Sequence, residues 1–132
     1  MDKINELEHS VVELIDGVVH VMNKINEFEN LKENWDGRNA KPVSERALKN
    51  LLRLLKTFPD LSKWSVFPGV NGDIFLVYKG DNYMSNIVIL PNNKFSYFTE
   101  GENELHGGSN IKFGARYVRK LMKDIETGKL VD

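Results

Sequence analysis

The feature that most constrains this chain is a change of hydrophobic period along its length. From about Asp2 to Glu29, and again from Ser44 to Phe58, the apolar residues recur at helical spacing; from Trp64 to Glu100 they follow strand spacing, and Ile111 to Thr127 returns to the helical period. The order is therefore helix, helix, four strands, helix. Strands kept together, with helices on either side of them in sequence, predict an α+β fold in which helices pack over one face of an antiparallel sheet. With 132 residues and no repeat or low-complexity tract, one domain is expected over 1–132. Within it, 1–30 reads as an association helix and 31–132 as an α+β core.

The first helix carries more apolar surface than one core requires. Ile4, Leu7, Val11, Leu14, Val18, Val21, Ile25 and Phe28 fall at alternating three- and four-residue steps, a heptad seam. A second stripe, Val12, Ile15, Val19 and Met22, widens that face. Such breadth implies burial on two sides, within the chain or between chains. The expected homodimer seam runs through Leu7, Val11, Leu14, Val18, Val21 and Ile25, a two-fold pairing of identical residues. Gly17 permits close approach of a neighbouring element at a cost of about 1 kcal/mol relative to Ala.

The segment Asn34-Trp35-Asp36-Gly37-Arg38-Asn39-Ala40-Lys41-Pro42 follows, a Trp within a polar linker. Ser44 is placed to cap a second helix whose Ala47, Leu48, Leu51, Leu52, Leu54, Leu55 and Phe58 form the apolar face, ended by Pro59. The strands are then punctuated by Pro68-Gly69, Asn71-Gly72, Gly80-Asp81-Asn82 and Pro91-Asn92-Asn93, which predicts a four-stranded meander. Residues 100–108 read as an acid- and Gly-rich loop. Ser109 or Asn110 then caps a last helix with Phe113, Tyr117, Leu121 and Ile125 on its apolar side and Gly128 beyond its end.

Asn34-Trp35-Asp36-Gly37, Ala40 and Pro42, together with the Gly72-Asp73-Ile74-Phe75-Leu76 strand, resemble a signature of small bacterial and phage proteins of unknown function. In those, an N-W-D-G/S-x-x-A-x-P tract precedes a helix and a Gly-x-Ile-x-Leu strand comes later. Here Tyr78 stands where that pattern expects Trp. The resemblance covers about residues 31–97 and implies an accessory product of a mobile element, an inhibitor or antitoxin-like factor that works by binding a protein.

Two readings compete for each conspicuous group. Trp35, Asp36 and Arg38 are either an anchor for a protein partner, since Trp and Arg are enriched at binding hot spots, or a turn beside an aromatic core plug. Arg116, Arg119, Lys120 and Lys123 form a basic stripe on the last helix, either a phosphate-backbone contact or a solvated face. Glu100, Glu102, Glu104 and His106 could approach a hard cation, although their spacing matches no known loop. A net charge of -1 offers no global pull towards nucleic acid or membranes. With no cysteine and no G-x-S-x-G, P-loop, dinucleotide or H-E-x-x-H pattern, neither catalysis nor a cofactor or metal is expected. The start of the chain lacks a signal-peptide pattern and no run is long enough for a membrane span, so a cytoplasmic protein is expected.

Overall fold

The computed structural model describes residues 2–57, 60–101 and 105–129, with the side chains of the first helix described from residue 15 onward. The elements are α1 (Asp2–Glu29), α2 (Glu45–Thr57), β1 (Trp64–Pro68), β2 (Ile74–Lys79), β3 (Met84–Ile89), β4 (Lys94–Glu100), β5 (Leu105–Lys112) and α3 (Ala115–Glu126). The five strands pair in sequence order, all antiparallel. The architecture is α+β, a meander with its helices against one face.

The fifth strand is a correction. Leu105–Lys112 was expected as a loop followed by a helix cap, because Gly107, Gly108, Ser109 and Asn110 lack strand propensity. Pairing with β4 overrides that preference. Tyr97 pairs with Gly108 and Phe95 with Ile111, so β5 carries one extra residue between them, a bulge at which Asn110 takes φ 54°. Gly108 leaves room for the neighbouring side chains: a Cβ there would lie 2.8 Å from Tyr97 Cε1 and 2.9 Å from Ile111 Cδ1. The last helix consequently begins later, with Gly114 as N-cap and neither Ser109 nor Asn110 in that role. Its buried side is Val118, Leu121, Met122 and Ile125, whereas Tyr117 is exposed and Phe113 is buried ahead of the helix.

The other signals act locally as their chemistry requires. Ser44 Oγ accepts from the Arg46 and Ala47 amides at 3.2 and 3.5 Å, capping α2. Gly128 takes φ 74° directly after the α3 C-cap. Phe58 and Pro59 lie outside the described residues. One core forms between the sheet and the helices, with Leu51 and Leu54 of α2 and Met122 and Ile125 of α3 facing Ile74, Leu76, Ile87, Ile89 and Phe95. Asn50, fully buried on α2, donates to Asn93 Oδ1 at 3.0 Å, which ties the helix to the β3–β4 turn.

The two stripes of α1 have different fates. Val21, Ile25 and Phe28 are buried in the chain's own core, with Val18 packed partly against it. At these positions the expected dimer seam is taken up within the chain; Leu7, Val11 and Leu14 lie outside the described side chains. Gly17 approaches not a helix but the segment leading into β1, where its Cβ would meet Ser62 Cβ at 3.4 Å.

Candidate protein-binding surfaces

The Asn34–Pro42 segment is a self-closed loop. The Asn34 amide donates to the Ala40 carbonyl at 2.7 Å, and Asn34 Oδ1 accepts from the Asn39 amide at 2.7 Å. Asp36 Oδ1 accepts from the amides of Arg38 at 2.8 Å and Ala40 at 3.0 Å, an Asx turn. Those amides, Arg38 first, hold the Asp36 carboxyl below its ordinary value, with the Arg38 charge adding to the effect. Asn34, Gly37 and Asn39 all take left-handed φ, from 64° to 74°, which explains the choice of Asn and Gly. The Trp35 indole donates to the Lys41 carbonyl at 2.8 Å and is half-buried. Ala40 is buried. Beyond the loop, the Lys41 amide donates to Val70 and the Ser44 amide to Gly72, at 2.9 and 2.8 Å, joining the loop to the β1–β2 turn. The conspicuous residues of this motif thus each have a structural cause, and Arg38 alone among the three named candidates extends an exposed side chain from it.

Beside this loop, an open groove of about 380 Å³ runs between the end of α1 and the start of α2, lined by Leu31, Val43, Leu48 and Leu52 with Glu29 and Glu45. On α1 itself, the second stripe points outward: Ile15 is 54% exposed and Val19 50%, with Met22 next along the same face. These three positions repeat at four and three residues, so they form one continuous ridge.

A further uncovered apolar area is the sheet face turned away from the helices. Residues paired across strands share a face, as do alternate residues along a strand. One row across that face is Phe67, Phe75, Val88 and Ser96; the next is Ser65, Val77, Asn86, Phe98 and Gly107; a third is Lys79, Met84, Glu100 and Leu105. Phe67, Met84, Phe98 and Leu105 are exposed.

A fourth feature escaped sequence reading because its members come from distant segments. Trp64, Tyr78 and Tyr83 stack in series with ring centroids 5.2 and 6.1 Å apart, and the Tyr83 hydroxyl donates to the Ile125 carbonyl. Partial burial raises the neighbouring Glu126 carboxyl above its ordinary range, while Lys63 and the Trp64 indole act in the opposite direction. Burial likewise raises the Tyr83 hydroxyl. This seam closes the end of the core, and the Asp60 carboxylate adds to the upward shift of Glu126.

Of the basic stripe, Arg116, Arg119, Lys120 and Lys123 are all exposed on α3, opposite its buried side. Glu100 and His106 sit on the paired strands β4 and β5, and Glu102 and Glu104 lie outside the described residues. Among the described residues no three His, Asp or Glu side chains converge as metal ligands, and no described helix is long and apolar enough to cross a membrane. Compared with protein-family models, with curated proteins and with solved structures, the chain finds no match.

Proposed function

We propose that this chain acts without catalysis, by binding a protein partner, as an inhibitor or antitoxin-like factor. The observation that carries this reading is the exposed ridge Ile15, Val19 and Met22 on α1. The same helix already buries its other stripe, so this second ridge serves no described core. An apolar helix ridge at this spacing is the shape that docks into a hydrophobic groove of another protein. The resemblance of Asn34–Pro42 to accessory proteins of mobile elements supports the inhibitor role, with Trp35 and Arg38 as a second contact and Asp36 holding the loop that presents them. A cytoplasmic location belongs to the same reading.

The test is affinity capture from nuclease-treated host lysate, comparing the native chain with Val19→Glu. A stoichiometric protein retained by the native chain and lost with Val19→Glu is the expected result. Equal retention by both would overturn the ridge as the contact. The exposed basic side of α3 favours a second reading, a nucleic-acid-associated regulator using Arg116, Arg119, Lys120 and Lys123. That reading requires retention that vanishes with nuclease, and binding that weakens steeply with salt.

A further inference from the structure

We infer that the helix-free face of the sheet is a self-complementary interface, and that its partner is a second copy of this chain. The inference is independent of the α1 ridge. It rests on how charge is distributed around the apolar rows.

The middle two rows of the face hold no charge, and the charges stand at the corners. Lys79 on β2 and Glu100 on β4 flank Met84 at one end, because Lys79 pairs with Met84 and Met84 with Glu100. At the other end Lys94 lies on β4, opposite Lys112 of β5. Asp73 precedes β2 on the same side as Phe75: a Cβ at Gly69 would meet Asp73 Oδ1 at 1.8 Å and Phe75 Cε2 at 2.7 Å. The two lysines Lys79 and Lys94 therefore occupy one diagonal of the face, and Asp73 and Glu100 the other.

A two-fold axis along β3, lying between two such faces, exchanges β2 with β4 while keeping each row in place. Lys79 then meets Glu100 of the second copy, and Lys94 meets Asp73 of the second copy, each pair occurring twice. Asp73 is only 8% exposed and lies against Gly69, so the accessible charge match of the face is carried by the two Lys79–Glu100 pairs, both residues being exposed. Lys94 and Lys112, directly opposite one another, are like charges whose pairing costs stability unless an anion approaches.

The apolar rows match under the same operation. Val77 meets Phe98 of the second copy, Val88 meets Val88, and Ser65 meets Gly107. Asn86 meets Asn86, so two amides can exchange hydrogen bonds across the axis. An axis perpendicular to the strands would also pair opposite charges, but it sets Val88 against Asn86 and leaves the amide facing methyl groups. The axis along β3 avoids that cost and gives the aligned geometry in which sheets pack face to face. Five strands and four rows span about 24 Å by about 20 Å, a footprint at the small end of stable interfaces, so the dimer is concentration-dependent.

The experiment is light scattering of the intact protein over a concentration series, with circular dichroism confirming the fold of each variant. The native mass rises from 15.2 kDa towards twice that value. Lys79→Glu and Glu100→Lys, both at exposed positions, each place like charges together at two symmetric sites and raise the dissociation constant about tenfold. The double variant K79E/E100K restores the opposite pairing and recovers dimerisation. A native mass that stays at the monomer value, or single variants with unchanged mass, would overturn the interface. A drop in mass with Val19→Glu while K79E and E100K behave as native would place self-association on α1 instead. Rescue of E100K by K94E in place of K79E would overturn the axis.

Discussion

The two faces of the sheet share strands, twist and a similar supply of bulky residues, yet only one is covered. Phe95 and Phe98, three residues apart on β4, show the contrast: Phe95 is wholly buried beneath the helices and Phe98 is 43% exposed on the other side. The covered face holds large aliphatics in register, Leu76 against Ile87 and Ile74 against Ile89, with α2 and α3 filling the space above. The bare face mixes Phe and Val with Ser, Asn and corner charges. The first composition suits permanent burial, and the second suits a surface that meets water and partner in turn.

The contrast is broken or sharpened most strongly by truncation at these two phenylalanines. Phe95→Ala should lower the free energy of unfolding by about 3–5 kcal/mol, whereas Phe98→Ala should cost under about 1 kcal/mol, both read by urea denaturation at dilute monomer concentration. Comparable losses would mean that the bare face is packed against something in the monomer.

The covered face also contains one polar pair. Ser85 Oγ and Thr99 Oγ1 lie 2.6 Å apart and fully buried, directly opposite across β3 and β4. Ser85→Ala leaves the Thr99 hydroxyl alone and should cost about 1–3 kcal/mol. Adding Thr99→Val removes the stranded hydroxyl and should recover part of the loss. Strict additivity of the two single changes would show that the hydroxyls do not interact.

A smaller effect is expected where the covered face ends, at Glu126. Its carboxyl is raised by partial burial, so the folded state holds its proton to higher pH than the unfolded chain does. Stability from this group is therefore greatest below its ordinary value of 4.5 and declines as pH rises through the native value. Glu126→Gln should flatten that decline in a thermal-melt series. Asp36, outside the sheet, has the opposite sign: its carboxyl is lowered by the Arg38 and Ala40 amides, so its contribution is complete above 3.8 and fades as pH falls through the lower native value. Asp36→Asn should remove the acid-side slope, and an unchanged slope would mean the Asx turn is not sensitive to the charge.

Much of this was legible in the residues. Turn chemistry at Asn71-Gly72 and Asn92-Asn93, the Ser44 cap and the Gly128 end mark boundaries through local backbone preferences, and the fold preserves them. The Asn34–Pro42 motif was legible as a turn because Asn, Asp and Gly close it through their own side chains and left-handed φ values. The fifth strand was not. Gly107-Gly108 and Ser109-Asn110 have no local reason to extend, and what extends them is the free edge of β4. Nor could spacing alone assign the stripes of α1, since two apolar stripes on one helix are equivalent until a neighbour covers one.

By itself the sequence determined the order and type of the helices, the first four strands and their turns, because hydrophobic period and turn preference act over a few residues. Tertiary structure alone decided that β5 joins the sheet, that Val21 and Ile25 face inward while Ile15 and Val19 face out, and that Lys79, Lys94, Asp73 and Glu100 stand at the corners of one face. The physical reason is common to all three. Pairing and burial depend on which distant segment arrives alongside, and the energy of that contact exceeds the local preferences of the residues that make it.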